Sequence, residues 1–417
     1  MENIKRIVFH VDVNSAYLSW EAAYRLQHGD SVDLREIPSI VGGDPVTRHG
    51  IVLAKSIPAK MYKIQTGEAV GAALKKCPHL TIIKPRYQLY KACSQAMREI
   101  LQEYSPFIQQ YSIDEYFMDY SDMAADFPDP IQAAYTIKHR IATELGFTVN
   151  IGISNNKLLA KMASELEKPD KVHTLFPEEI PEKMWILPVE DMFMVGRATA
   201  PKLRSRGIYS IGDLAKCDPN LLRSWLKSQG VMLWNYAHGI ESSPIKNAAI
   251  PIKGIGNSTT IPFDVDDART AHMVMLSLVE MVSARLRQTS LLGEVVSVSL
   301  KTHELFSYSH QKKLDSPTDC TNAIYREAIN LFDEAWEREP LRHLGVRISE
   351  LCSNDLYQMT IYDQMLNKQK TMDRAVDQIR TKHGNQALIR SCFLHAGVKP
   401  ISGGVIEEEF PMMSSIL

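Results

Sequence analysis

The chain has 417 residues, of which 45% are hydrophobic and 23% charged, with a formal net charge of −2. That length and apolar content exclude a disordered tail and a single small module, and fit about two to four domains. No apolar run reaches the ~20 residues of a membrane span, and the opening "MENIKRIVFHVDVN" breaks at His10 and Asp12, too early for a signal peptide, so a cytoplasmic protein is expected. The cysteines, Cys77, Cys93, Cys217, Cys320, Cys352 and Cys392, show no metal-binding spacing and read as buried free thiols. A near-neutral total says nothing about nucleic acid, because binding needs a basic face rather than a basic sum.

"KRIVFHVDV" (5–13) reads as a buried strand, and "NSAYLSWEAAYRLQHG" as a helix capped by Asn14 and stopped by Gly29. Residues 30–80, rich in Gly and Pro, carry short elements. Tyr87, Tyr90, Ser94, Met97, Leu101 and Tyr104 recur at steps of three and four, which predicts an amphipathic helix. Strands at 107–113 and 115–120, a helix near 130–145 and a strand at 147–153 follow. With 30–80 set aside, this is βαββαβ, the split-βαβ sandwich. Residues 185–240 read as short-looped helices and 242–252 as a linker. From 253 the order repeats: strand 253–261, helix 267–289, strands 293–303 and 306–314, helix 318–338, strand 341–351. The polar stretch after Cys352 has a helical piece at 371–381.

The chemistry sits in "YSIDEYFMDY" and on the first strand. Asp12 lies on that strand, and Asp114 and Glu115 lie in the central hairpin. In this topology the first strand runs beside the hairpin, so the three acids can converge on one sheet face. Neighbours on a strand point to opposite faces, so Asp114 and Glu115 share a site only where the hairpin bends. Three carboxylates suit Mg²⁺, and two such ions would clamp an in-line phosphoryl displacement. For "DE" alone a solvated hairpin tip is the commoner reading; the acid on an apolar first strand shifts the balance.

"HVDVNSAYLSWE", "YSIDEYFMDYSD" and "VNIGISNNKLLAKMASELEKPD" resemble the signature segments of Y-family, translesion DNA polymerases. "GIVLAKSIPAKMYKIQTGE" resembles their fingers and "KGIGNSTTIPFDV" the start of their little finger, in a polymerase IV-like pattern. "DVNSAY" and Lys157 resemble the polymerase V catalytic subunit. The resemblance runs from about residue 5 to 351. It implies an α+β, right-hand polymerase: palm 1–20 and 84–175, fingers 21–83, helical thumb 176–241, linker 242–252, little finger 253–352, and a tail 353–417.

By that resemblance Asp12, Asp114 and Glu115 would be catalytic and, with the Val13 carbonyl, hold two Mg²⁺. Tyr17 would be the steric gate against a ribose hydroxyl, and Lys60 and Lys157 would meet the triphosphate. Ile57, where relatives carry a Tyr, is expected only to pack. "MVGRATAPKL" resembles a helix-hairpin-helix, with Gly196, Arg197 and Lys202 set toward DNA phosphates and Arg204 and Arg206 adding charge. Over 251–349 there are 11 Lys plus Arg against 13 Asp plus Glu, so a DNA-gripping little finger must keep its acids off the contact face. Lys253, Ser258, Thr259, Thr260, Lys301 and Arg347 are its candidates. "QMTIY" resembles a sliding-clamp peptide, through Gln358, Ile361 and Tyr362. The partners implied are primer–template DNA, deoxynucleoside triphosphates and the clamp, with a monomeric, non-membrane protein that lacks proofreading. A catalytically silent clamp-recruited DNA-binding factor, and a different two-metal phosphoryl-transfer enzyme, are the competing readings.

Overall fold

The computed structural model describes residues 6–43, 50–125, 129–246, 252–354 and 363–394. The first sheet is built by β1 (Val8–Val13), after which α1 (Ala16–Gln27) packs back on it. A small insertion follows, with β2 (Ser39–Gly42), β3 (Val52–Lys55), α2 (Ile57–Met61), α3 (Val70–Lys76) and β4 (Thr81–Ile83). The chain then returns through α4 (Tyr87–Gln102), β5 (Ile108–Gln110), β6 (Glu115–Asp119), α5 (Pro130–Arg140), β7 (Val149–Ser154), α6 (Lys157–Glu165) and β8 (Val172–Thr174).

The strands lie in the order β5-β6-β1-β7-β8. Without β8 this is the split-βαβ order, and the first strand does run beside the hairpin. All six residues of β1 are buried, so the sheet is covered on both faces. Phe9, Val11 and Val13 join Trp20, Tyr90, Met97 and Ile137 in one core with α1, α4 and α5. The alternate residues, Val8, His10 and Asp12, point to the other face. There they meet Glu115 and Phe117 of β6 and lie under α6, where Val8, Phe117 and Ala160 form a small cluster. Gly152 lets α6 lie directly on β7: a Cβ there would come within 2.0 Å of the Ala160 carbonyl oxygen and 2.5 Å of the Ser164 nitrogen.

Three local expectations change. Asn14 does not cap α1; Ser15 does, in the left-handed region at φ 51° and without a side-chain bond. The Asn14 amide is engaged elsewhere, donating to Asn150 Oδ1 at 3.0 Å and accepting from Thr148 Oγ1 and the Asp170 amide. The expected strand 107–113 is only Ile108–Gln110, because residues 112–114 turn the chain into β6. Of the thiols, Cys77 and Cys320 are buried, but Cys392 is exposed; all six are free. Gly29 ends α1 as expected, at φ 93°.

The insertion forms a sheet β3-β2-β4 over its own core of Ile40, Val52, Ala59, Ile64 and Val70. A helical unit holds α7 (Ala200–Arg204), α8 (Ile211–Lys216), α9 (Pro219–Leu226) and α10 (Ser228–Ala237) around Leu203, Ile211, Leu222 and Leu233. Ser210 and Asp213 make a reciprocal capping box at α8. The described part of the linker is docked along the first sheet, with Arg6 on the Ser243 carbonyl at 2.9 Å and Gln109 Oε1 on the Lys246 amide at 3.0 Å.

The second unit has the expected order: β9 (Gly254–Val265), α11 (Ala268–Gln288), β10 (Leu291–Thr302), β11 (Ser307–Thr318), α12 (Thr321–Ala335) and β12 (Leu341–Ser353). Its strands nevertheless pair differently, as β11-β10-β12-β9, which leaves the first strand at the edge. Val296, Val298, Leu344, Val346 and Ile348 face α11 and α12. Beyond it, α13 (Asp363–His383) returns to α11 and α12: Arg287 bonds Asp377 at 2.5 Å and Asp373 at 3.5 Å, and Arg380 reaches Glu280 at 3.4 Å. Among the described residues no helix is long and apolar enough to cross a membrane.

Candidate active site

Asp12 and Glu115 are register partners across β1 and β6, on the face under α6. Like charges directly opposite on paired strands repel, so the position needs cations. The structure supplies two from α6 and the loop after it. Lys161 Nζ bonds both oxygens of Glu115, at 2.9 and 2.8 Å. Lys168 Nζ bonds Asp12 Oδ2 and, at 2.8 Å, Glu165 Oε1. Oxygens of Asp12, Glu115 and Glu165 lie within 4.8 Å of one another. An all-oxygen, partly buried donor set of this kind fits a hard divalent cation such as Mg²⁺.

Burial raises the Asp12 carboxyl to about 7, against the pull of Lys168. For Glu115 burial pushes upward too, but His10 and Lys161 outweigh it and hold the acid down at about 2. Burial disfavours charge on Lys168, which Asp12 and Glu165 more than offset, raising it. Burial lowers His10 to about 4, so the imidazole is neutral near pH 7.

Asp114 sits in the bend, which is how two adjacent acids share one region. Its carbonyl accepts the Val13 amide at 3.1 Å, and Ser112 Oγ donates to its carboxylate. Burial raises its carboxyl. It is not one of the three clustered acids; its charge acts instead on Tyr17. Tyr17 is half-buried, stacked on Tyr90 at 4.5 Å and 11° and edge-on to Tyr87. Burial, then Asp114, raises its phenol to about 12.

Lys157 is not at the acids. As the first residue of α6 it lies one turn before Lys161, near the Phe117 end of the strands, with Nζ 3.2 Å from the Pro244 carbonyl and 3.5 Å from Gln109 Oε1. Lys161, Lys168 and Glu165 were not singled out from the sequence. The available signal was the i, i+4 spacing from Lys157, which places Lys161 on the same helix face. Ile57, expected only to pack, is a correction. It is the first residue of α2, 51% exposed, while Ala59 takes the buried position. Lys60, on the last turn of that helix, is exposed.

Of the expected DNA contacts, Gly196, Arg197 and Lys202 are exposed. Two amides at the start of α7, those of Thr199 and Ala200, already bond the Gly196 carbonyl. Arg204 pairs with Glu190, and Arg206 lies over the Trp225 ring at 4.9 Å. In the second unit Ser258 and Thr260 lie on the sheet face away from the helices, in register with Gly345 and His343. Thr259 does not: alternation turns it to the helix side, opposite the buried Leu344. Ser297, Ser299, Lys301 and Arg347 share the open face. Acids of this unit pair on the helices or toward one end: Glu327 with Lys312, Asp333 with His272, and Glu294 and Glu350 with Lys313. The clamp-peptide residues Gln358, Ile361 and Tyr362 lie outside the described residues.

Residues 11–165 match the impB/mucB/samB family and residues 252–361 its C-terminal domain. The chain is 45% identical over 392 residues to a protein named DNA polymerase IV from Clostridium acetobutylicum, covering 94% of this chain and 99% of that one. It is 36% identical to a DNA polymerase IV of Acetivibrio thermocellus (94% and 98% covered) and 34% to DNA polymerase IV 2 of Bacillus subtilis (94% and 95%). A solved Y-family DNA polymerase chimera shares the fold, with a TM-score of 0.73 at 22% identity, over 84% of this chain and all of that one.

Proposed function

Since the chain belongs to the impB/mucB/samB family of Y-family DNA polymerases, we propose that it extends a primer 3′ end past damaged template bases by a two-Mg²⁺ reaction, without proofreading. The observation that carries the mechanism is the pair of buried Asp12 and partly buried Glu115 held opposite each other across β1 and β6, with Asp114 in the adjoining bend. Bound there, Mg²⁺ would neutralise these acids and stabilise charge on the attacking and leaving oxygens. Asp12 and Glu115 would hold it, with Asp114 and the Val13 carbonyl on the Tyr17 side. The chain's own task is positioning: primer hydroxyl, α-phosphate and sugar must meet in one geometry. Lys168, already on Asp12, is better set than Lys157 to meet the triphosphate when a cation takes over that acid. Lys161 is in the same position relative to Glu115.

We assign the first sheet with its helices (1–20 and 84–175) as palm, 21–83 as fingers, 176–241 as thumb, 253–352 as little finger and 353–417 as tail, on a monomeric cytoplasmic protein. Duplex DNA would lie on the open little-finger face, where Ser, Thr and Gly leave room for a phosphate backbone and Lys301 and Arg347 add charge. Gly196, Arg197 and Lys202 would meet it from the thumb. Primer extension with deoxynucleotides and Mg²⁺, on intact and damaged templates, tests this reading. Extension on both, with binding that weakens steeply as salt rises, is expected. Binding without extension would favour the silent DNA-binding factor, and strand cleavage the other two-metal enzyme.

Tyr17 is expected to set sugar selection. Its ring is braced on Tyr90 and cannot retreat without breaking that stack. Tyr17→Ala should lower the deoxy-over-ribo insertion ratio by at least about tenfold, since each ~1.4 kcal/mol is a factor of ten. Matched single-nucleotide insertion kinetics measure it, and an unchanged ratio would leave Tyr17 as a core aromatic only. Gln358→Ala with Tyr362→Ala should leave unassisted synthesis intact and abolish stimulation by the sliding clamp. Equal clamp capture by the variant would reject that peptide.

A further inference from the structure

The first strand carries a buried histidine that the reaction as described leaves unused. His10 is 0% exposed and lies two residues before Asp12, on the same sheet face. Its Nδ1 is 2.8 Å from Ser164 Oγ on α6. Its Nε2 has no hydrogen-bond partner and lies 3.6 Å from Glu115 Oε2, too far for a hydrogen bond. The ring is also packed against Phe117, at 4.6 Å between centroids. An orphaned polar atom in a dry interior is unfavourable. Here it is aimed at a carboxylate whose two oxygens are both bonded by Lys161.

Two tautomers compete. With the proton on Nδ1, an Nε2 lone pair would face the Glu115 carboxylate, and the two would repel. With the proton on Nε2, the N–H points at that carboxylate, and Ser164 turns its hydroxyl to Nδ1. Ser164 Oγ also lies 2.8 Å from the Lys161 carbonyl, but that carbonyl is within α6 and keeps its helical bond. The second tautomer removes that repulsion and turns a donor toward the carboxylate, giving up only the Ser164 bond to a carbonyl that keeps its helical partner. A carboxylate that binds a cation through one oxygen needs a donor to orient it, and such partners commonly decide metal affinity.

We propose that His10 is a positioning residue, whose Nε2–H closes the 3.6 Å gap to the Glu115 carboxylate and orients it once a divalent cation displaces Lys161, with Ser164 fixing the tautomer. The role rests on reading Asp12 and Glu115 as metal ligands. It links three elements: α6 through Ser164, β1 through His10 and β6 through Glu115.

The test is Mn²⁺ binding to the free protein, read from the paramagnetic resonance signal of unbound Mn²⁺. Wild type, His10→Gln, His10→Leu and Glu115→Gln are compared, with melting temperature and primer–template affinity measured on each. His10→Leu should weaken Mn²⁺ binding by about tenfold at unchanged primer–template affinity. His10→Gln keeps a donor near the Nε2 position and should stay within about threefold of wild type. Equal losses in both, or no loss in His10→Leu, would overturn the role. If His10→Leu does not fold, Ser164→Ala decides: it frees the tautomer and should weaken binding by about threefold, and unchanged binding would overturn the role. Wild-type binding by Glu115→Gln would overturn the metal reading and His10's role with it. Loss in Glu115→Gln without loss in His10→Leu overturns the His10 role alone.

Discussion

Replacing Glu115 with alanine is expected to lower nucleotide insertion by about a thousandfold or more, with primer–template affinity changed by no more than about threefold. The acid is one of two that face each other under α6, while the grip on the duplex is assigned to the little finger and thumb. Removing it also leaves Lys161, 13% exposed, without its partner, and a stranded, mostly buried ammonium is destabilising. Glu115→Gln separates the two effects. It keeps shape and an acceptor for Lys161, so the melting temperature should hold better while insertion falls as far. Asp114→Ala should also abolish insertion while primer–template binding survives, because its carboxylate is assigned to the metal from the adjoining bend. Near-normal Mg²⁺-dependent extension by these variants would overturn the assignment.

Gly152→Ala is expected to destabilise the protein by ~3 kcal/mol or more, a fall of about 6–12 °C in melting temperature. The added methyl would stand 2.0 Å from the Ala160 carbonyl oxygen and 2.5 Å from the Ser164 nitrogen. Both are backbone atoms of a helix, so no side chain can swing aside. The relief available is to lift α6 from β7, and α6 carries Lys161, Ser164 and Glu165. Insertion should therefore fall even where the variant stays folded. Calorimetric melting with insertion kinetics on the same sample checks this; wild-type values of both would mean that α6 does not need so close an approach.

The first sheet was legible because its βαββαβ order admits a strand order that puts β1 beside the hairpin, and a period of two then sends Val8, His10 and Asp12 to one face. The same reasoning stops short in the second unit. Its element order is identical, but β9 pairs at the edge with β12, and nothing in an alternating pattern distinguishes the two pairings. Alternation could have assigned Thr259 to the buried side, since Ile255 and Ile261 share its parity and are buried. Lys161 and Lys168 were hidden for a different reason. Where a long side chain ends depends on how its helix lies, and α6 lies where Gly152 permits. A glycine inside an apolar strand is a signal of close backbone approach. Read that way, "NIGIS" would have placed α6 on the acid face. The docking of α13 rests on Arg287 and Arg380 being buried against acids from the far side of a polar tail, and neither hydrophobic periodicity nor spacing records such pairs.

Asp12 and Glu115 are assigned to hold divalent cations for nucleotidyl transfer. A crystal of the protein with primer–template, a non-hydrolysable deoxynucleotide and Mn²⁺ tests that assignment most directly, through the anomalous scattering of Mn²⁺. Two peaks about 3.5–4 Å apart are expected, each about 2.1 Å from carboxylate oxygens of Asp12, Glu115 or Asp114, with Lys161 and Lys168 released from the acids. A map without peaks at these carboxylates, with Lys161 still on Glu115 and Lys168 still on Asp12, would contradict the claim.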